Sequence, residues 1–229
     1  MHIKICGIRT LDDALAAVAA GADMLGFNFY PPSPRAVDVP TCAAIVDALR
    51  SRGHAVTCVG VFVNAPPETV RATLDACGLD AAQLSGDEPP SDLTALAGRA
   101  FKAIRPRDAA EAEALAARYA RAAPPPALLL DARVPGLYGG SGRPADWGLA
   151  RRLAARLPLL LAGGLTPENV AAAVRAVRPW GVDVASGVES APGVKSPPRM
   201  AAFCRAARSL PSTPPLAPLP ARGEGTGVE

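Results

Sequence analysis

A thiol and a carboxyl, placed at matching points of two apolar runs, are the groups of this 229-residue chain best suited to chemistry. Lys4-Ile5-Cys6-Gly7-Ile8 reads as an opening β-strand that runs out into a glycine turn, with His2, Lys4 and Cys6 on one face. Leu128-Leu129-Leu130-Asp131 repeats the arrangement with a carboxylic acid, again before a loop. Held on a rigid scaffold yet open to a loop-lined pocket, such a pair suits a base and an acid sharing one substrate. Each residue also has a plain structural explanation. Free cysteines are usually small buried hydrophobes, as expected for Cys42, Cys58, Cys77 and Cys204, and an aspartate at a strand end often caps a turn.

Three glycine-rich turns tip the balance. Gly139-Gly140-Ser141-Gly142, Gly163-Gly164 and Ser186-Gly187 each follow one of the last three predicted strands. One Gly-Gly pair is more often just a tight turn. Three at consecutive strand ends point to a phosphate held by backbone N–H groups, at Gly140, Ser141, Gly142, Gly163, Gly164, Ser186 and Gly187. Arg35 ends the stiff loop Phe29-Tyr30-Pro31-Pro32-Ser33-Pro34-Arg35, whose prolines lower the entropy lost when a guanidinium is presented to a ligand. A carboxylate is the natural partner for that planar fork. Asn28, at the end of the second strand, is either part of this site or an ordinary turn former.

The elements that must position these groups follow from periodicity. Apolar runs at 2–6, 23–28, 56–62, 81–84, 100–104, 127–131, 158–162 and 182–185 predict strands. Helical patterns fall at 10–20, 40–52, 66–77, 91–98, 108–122, 146–156, 167–178 and 197–208. The tripeptides Gly21-Ala22-Asp23, Gly78-Leu79-Asp80 and Gly181-Val182-Asp183 each end a helix and introduce a strand, with glycine suited to the left-handed C′ position. They lie 57 and 103 residues apart, near two and four βα units. Eight such units give an α/β fold, a single (β/α)8 TIM barrel over residues 1–209. Residues 210–229 are rich in Pro and Gly and lack the apolar surface to offset their ordering entropy, so a disordered tail is expected.

Composition narrows the function classes. The net charge of +3 is small and the arginines are scattered, which argues against a nucleic-acid partner. Five scattered cysteines with no Cys-x-x-Cys pair, and only two histidines, make a metal site improbable and fit a reducing cytosol. No apolar run approaches the roughly 20 residues of a membrane helix, and no leader pattern opens the chain. The expectation is a cytoplasmic protein with no membrane partner, monomeric, with a dimer as the alternative.

The motifs together resemble the phosphoribosylanthranilate isomerase family of tryptophan biosynthesis. The resemblance covers residues 2 to about 208 and rests on Lys-Ile-Cys-Gly-Ile at 4–8, Gly-Phe-Asn-Phe-Tyr…Ser-Pro-Arg at 26–35 and Val-Gly-Val-Phe-Val-Asn at 59–64. It continues through Gln-Leu-Ser-Gly-Asp-Glu at 83–88, Leu-Leu-Leu-Asp at 128–131 and Gly-Gly-Ser-Gly…Asp-Trp at 139–147. Leu-Ala-Gly-Gly-Leu-Thr-Pro-Glu-Asn-Val at 161–170 and Val-Asp-Val-Ala-Ser-Gly-Val-Glu…Pro-Gly-Val-Lys at 182–195 complete the set. It implies a (β/α)8 barrel that needs no metal or organic cofactor. The implied reaction is the Amadori rearrangement of N-(5-phosphoribosyl)anthranilate to 1-(2-carboxyphenylamino)-1-deoxyribulose 5-phosphate.

By the same resemblance Asp131 is the general acid at the ring oxygen, Cys6 the base at C2, and Arg35 the holder of the anthranilate carboxylate. Lys4 is expected to point into the barrel, too deep to lower the Cys6 pKa. Two positions depart from the family pattern: Ser85 stands where histidine is common, and Ser196 where aspartate is common. Ser196 before Pro197 is expected to serve as a helix N-cap. Competing readings are another phosphate-binding barrel of the superfamily and a non-catalytic phosphosugar sensor. A decarboxylating ring-closure enzyme would want more lysines than Lys4, Lys102 and Lys195, and a sensor has no need of both Cys6 and Asp131.

Overall fold

The computed structural model describes residues 1–120, 124–132 and 145–209. Eight parallel strands close into a barrel in sequence order: β1 (His2–Cys6), β2 (Met24–Asn28), β3 (Thr57–Phe62), β4 (Ala81–Leu84), β5 (Ala100–Ile104), β6 (Leu128–Leu130), β7 (Leu159–Leu161) and β8 (Gly181–Val184). Closure is made by β1 against β8, where His2 pairs with Gly181 and Lys4 with Asp183. The helices alternate with them: α1 (Leu11–Ala19), α2 (Val39–Ser51), α3 (Pro67–Cys77), α4 (Pro90–Ala95), α5 (Ala109–Tyr119), α6 (Trp147–Ala154), α7 (Val170–Val177) and α8 (Pro197–Arg208). Every predicted strand and helix is present, with ends shifted by a few residues. Among the described residues no helix is long and apolar enough to cross a membrane.

Strand alternation divides the core in two. Ile3, Ile5, Leu25, Phe27, Leu128 and Leu130 face outward into the aliphatic layer beneath the helices. Met24, Val59, Phe101, Ala103, Leu129, Leu160 and Ala162 form a separate cluster inside the barrel. On β1 the inward positions are Lys4 and Cys6, both buried. Helix starts are fixed by short polar side chains: Thr10, Asp38, Asp108 and Asp146 accept from the backbone N–H of Asp13, Thr41, Glu111 and Leu149.

Two local expectations fail. Gly181 is not a helix terminator: Arg178 takes the left-handed position after α7 (φ 53°), and Gly181 is the first residue of β8. A side chain there would press on the His2 carbonyl oxygen at 2.9 Å, so the glycine serves strand closure. Ser196 does occupy the N-cap position of α8, but its hydroxyl makes no capping hydrogen bond. The two prolines do not account for this, since the Arg199 N–H, three residues on like the donors at the other four caps, is still present; the Ser196 carbonyl joins the helix, accepting from Met200 at 2.9 Å. A short antiparallel hairpin, β9 (Glu189–Ala191) and β10 (Val194–Lys195), was not foreseen; its alternation is too brief to register as strand.

Candidate active site

A parallel barrel gathers its strand ends on one face. Cys6 closes β1, Asp131 follows β6, Gly163 and Gly164 follow β7, and Ser186 and Gly187 form a 3-10 turn with Val188 after β8. β7 and β8 lie between β6 and β1 in the ring, so these glycine turns stand between the carboxyl and the thiol. Gly140, Ser141 and Gly142 lie outside the described residues, as does 210–229.

Asp131 stands at the exit of β6. Burial pushes its carboxyl up to about 6, against the opposing pull of the Ala132 N–H, which it accepts at 2.7 Å. The like charge of Asp183 pushes the same way, while Arg105 and Lys4 oppose. Next to it, Gly163 (φ 88°) brings the β7 turn close: a Cβ there would stand 2.8 Å from the Ala132 nitrogen. The turn is pinned from below, where Asn169 donates to the Gly164 carbonyl at 2.8 Å and accepts from the Thr166 N–H at 2.8 Å.

Cys6 sits among charges. Burial raises its pKa, Lys4 and Lys195 draw it down, and Asp183 adds to the rise. The expectation that Lys4 lies too deep to act on the thiol is corrected: its ammonium, held by Asp183 at 2.9 Å, lies beside the Cys6 sulfur over Gly26 and its charge draws the thiol down. What wins is burial, so the net direction is still upward. Burial pulls the Lys4 ammonium down, but Asp183 and the Cys6 sulfur outweigh it and hold its pKa above the ordinary value. At Lys195 burial prevails and the shift is downward.

Arg35 is held rather than free. Asn28 proves to be the turn organiser: its side chain accepts from the Tyr30 N–H at 2.8 Å and donates to Ser33, whose hydroxyl accepts from the Arg35 N–H. The Arg35 side chain passes over Gly7, where a Cβ would stand 2.7 Å from its Cδ. Its Nε and Nη2 clamp Glu189 at 2.8 and 2.9 Å, and Lys195 reaches the same carboxylate at 2.8 Å. Burial opposes ionisation of Glu189, yet the two cations hold its pKa below the usual range. The guanidinium therefore offers its remaining N–H groups and not an open fork.

Sequence reasoning assigned no role to Asp183, Glu189 or Lys195. For Asp183 the available signal was a charge inside the apolar stretch Gly181–Val184; Glu189 and Lys195 lie in a hairpin too short to carry a pattern. Ser85 lies buried just past β4 and accepts from Gln83 Nε2 at 3.1 Å, so no titrating group stands there. No group of three or more His, Cys, Asp or Glu arranged to hold a metal ion occurs among the described residues.

The closed eight-stranded parallel barrel, with a carboxyl, a thiol and glycine turns on one face, places the chain in the (β/α)8 class. The model of the family N-(5'-phosphoribosyl)anthranilate (PRA) isomerase matches residues 3–206. An isomerase of that name from Myxococcus xanthus is 50% identical over 214 residues, covering 92% of this chain and 97% of the relative. The crystal structure of phosphoribosyl anthranilate isomerase from Thermotoga maritima superposes with a TM-score of 0.81 at 38% identity, covering 92% of this chain and all of that one. A further isomerase structure, in complex with reduced 1-(o-carboxyphenylamino)-1-deoxyribulose 5-phosphate, gives 0.79 at 37%, with coverage of 92% and 100%. The chain belongs to the N-(5'-phosphoribosyl)anthranilate isomerase family, and its activity is the isomerase step of tryptophan biosynthesis.

Proposed function

We propose that Asp131 and Cys6 divide the two proton transfers of this isomerisation. Asp131, neutral, protonates the furanose ring oxygen; the C1–O bond breaks and its electrons leave with that oxygen, giving a ring-opened protonated imine. The Cys6 thiolate takes the proton from C2. The C–H electrons form the C1–C2 double bond and neutralise the nitrogen, giving the enolamine. Moving a proton from the C2 hydroxyl to C1 then yields the ketone. Asp131 has lost one proton and Cys6 gained one, so a transfer from thiol to carboxylate, through solvent or the tautomerising product, restores the enzyme.

The observation that carries this reading is a buried carboxyl with a pKa of about 6 on the same barrel face as a thiol flanked by two ammonium groups. Gly163, Gly164, Ser186 and Gly187, with Gly140, Ser141 and Gly142, are proposed to hold the phosphate. Arg35 is proposed to meet the anthranilate carboxylate with the edge that Glu189 leaves open. All these groups come from one chain, which fits a monomer as the working unit, with a dimer as the alternative.

Because Asp131 titrates below Cys6, the working form with neutral acid and ionised thiol is a minor species. Activity then rises with pH to about 6, stays level, and falls once the thiol has ionised and only the acid is being lost. The test is complementation of a tryptophan auxotroph lacking only this isomerase. Wild type should restore growth, while Cys6→Ser and Asp131→Asn should fail or grow slowly. Failure of the wild type, or full growth with either variant, would sink the corresponding assignment.

A further inference from the structure

We propose that Lys4 is the positioning residue that sets the ionisation of Cys6, with Asp183 as the counter-charge that holds Lys4 in place and limits its effect. The inference rests on the reading of Cys6 as the base.

The geometry begins at Gly26, opposite Cys6 in the β1–β2 ladder. A Cβ on Gly26 would stand 2.7 Å from the Cys6 Sγ, 3.0 Å from the Lys4 Nζ and 3.1 Å from the Cys6 Cα. Only a residue without a side chain lets the ammonium and the sulfur lie together on that spot. Lys4 is fully buried and has three N–H donors to place. One reaches Asp183 Oδ1 at 2.9 Å, and the Cys6 sulfur lies beside the ammonium, over Gly26. The Lys4 charge has two neighbours to serve, the buried Asp183 carboxylate, which an apolar residue at position 4 would leave unpaired, and the thiol.

Charge balance agrees. From β1 the group facing Cys6 is Lys4; from β8 it is Asp183; from β10 it is Lys195; β2 offers only Gly26. Behind Lys195 stand Glu189 and Arg35, and Asp131 lies beyond β6. Lys4 and Asp183 cancel. Lys195 and Arg35 share the single carboxylate of Glu189, leaving one excess positive charge beside the sulfur while Asp131 is neutral, the form the reaction uses. A thiolate at Cys6 neutralises it. Removing Lys4 must therefore oppose ionisation of the thiol, and removing Asp183 must favour it.

That opposition of sign is the test. The ultraviolet absorbance of the thiolate would be followed against pH in the full-length protein. Wild type, Lys4→Met, Asp183→Asn and the double variant would be measured, each minus its Cys6→Ser counterpart so that the other four cysteines cancel. The Cys6 midpoint should move up by about one unit or more in Lys4→Met and down by a similar amount in Asp183→Asn. Midpoints that stay put, or move the same way in both, overturn the proposal. Should Lys4→Met fail to fold with Asp183 left unpaired, Asp183→Asn alone decides: a midpoint that falls supports the proposal, and one that stays or rises overturns it. Turnover separates the two claims. Shifts as predicted with full activity in Cys6→Ser would retire Cys6 as base and leave Lys4's control of its ionisation intact.

Discussion

Asp23, Asp80 and Asp183 end the same Gly-x-Asp tripeptide, yet they do two different jobs. Asp23 stands just before β2, accepts from the Ile3 N–H at 2.8 Å and from Arg208 at 2.9 Å, and stays partly exposed. Asp80 does the same before β4, with the Cys58 N–H and Arg50, each at 2.7 Å. Both tie a strand start to its neighbour on the amino-end face. Asp183 is the third residue of β8 because Gly181 already belongs to that strand. Its carboxylate turns into the barrel, side chain 10% exposed, and meets an ammonium that water does not reach. The same carboxylate thus stabilises at one end of the barrel and tunes chemistry at the other. Exposure to solvent decides which: a screened pair contributes little, whereas a buried one governs the ionisation of its neighbours.

The largest expected consequence lies on the upper face. Gly163→Ala forces a Cβ to 2.8 Å from the Ala132 nitrogen in a left-handed conformation. It should disturb both the phosphate turn and the segment carrying Asp131. We expect KM to rise at least ~10-fold, the worth of one hydrogen bond to a charged group, with inhibition by inorganic phosphate weakened in parallel. An unchanged KM would remove Gly163 from the phosphate site.

Next comes a stability effect of unusual sign. Asp131 binds a proton more tightly folded than unfolded, since its pKa rises from the ordinary 3.8 to about 6. The native state is therefore favoured at low pH, and that advantage is lost as pH climbs through this interval. Asp131→Asn keeps the acceptor for the Ala132 N–H and removes the charge. Denaturant unfolding should show the inactive variant on the order of 2–3 kcal/mol more stable than wild type above pH 6. The difference should vanish near pH 4. A variant less stable at both pH values would contradict the burial account.

The smallest effect belongs to the lower face. Arg208→Ala should cost no more than about 1 kcal/mol and leave turnover unchanged, because its pair with Asp23 is exposed. A large loss of activity there would break the division between the two ends.

Much of this was legible in the sequence, for a physical reason. Short apolar runs such as Ala100–Ile104 and helical spacing such as Pro67–Cys77 are local properties, and the strands and helices follow from them. Cys6 and Asp131 could be found because each interrupts an apolar strand at its exit. The Lys4–Asp183 pair spans nearly the whole chain, and only closure of β1 on β8 brings its members together. Arg35 was recognised, but its clamp on Glu189 depends on a hairpin of three and two residues that leaves almost no periodicity. Ser196 fits the N-cap preference and takes that position, but a local preference does not by itself make the hydroxyl bond.

The central claim is that Cys6 removes the C2 proton, and steady-state turnover of Cys6→Ser under saturating N-(5'-phosphoribosyl)anthranilate tests it most directly. A serine hydroxyl keeps the shape of the site and loses the ionisable sulfur. The account predicts a loss of at least ~10²-fold in kcat with substrate affinity largely kept. Turnover within a few-fold of wild type would contradict it.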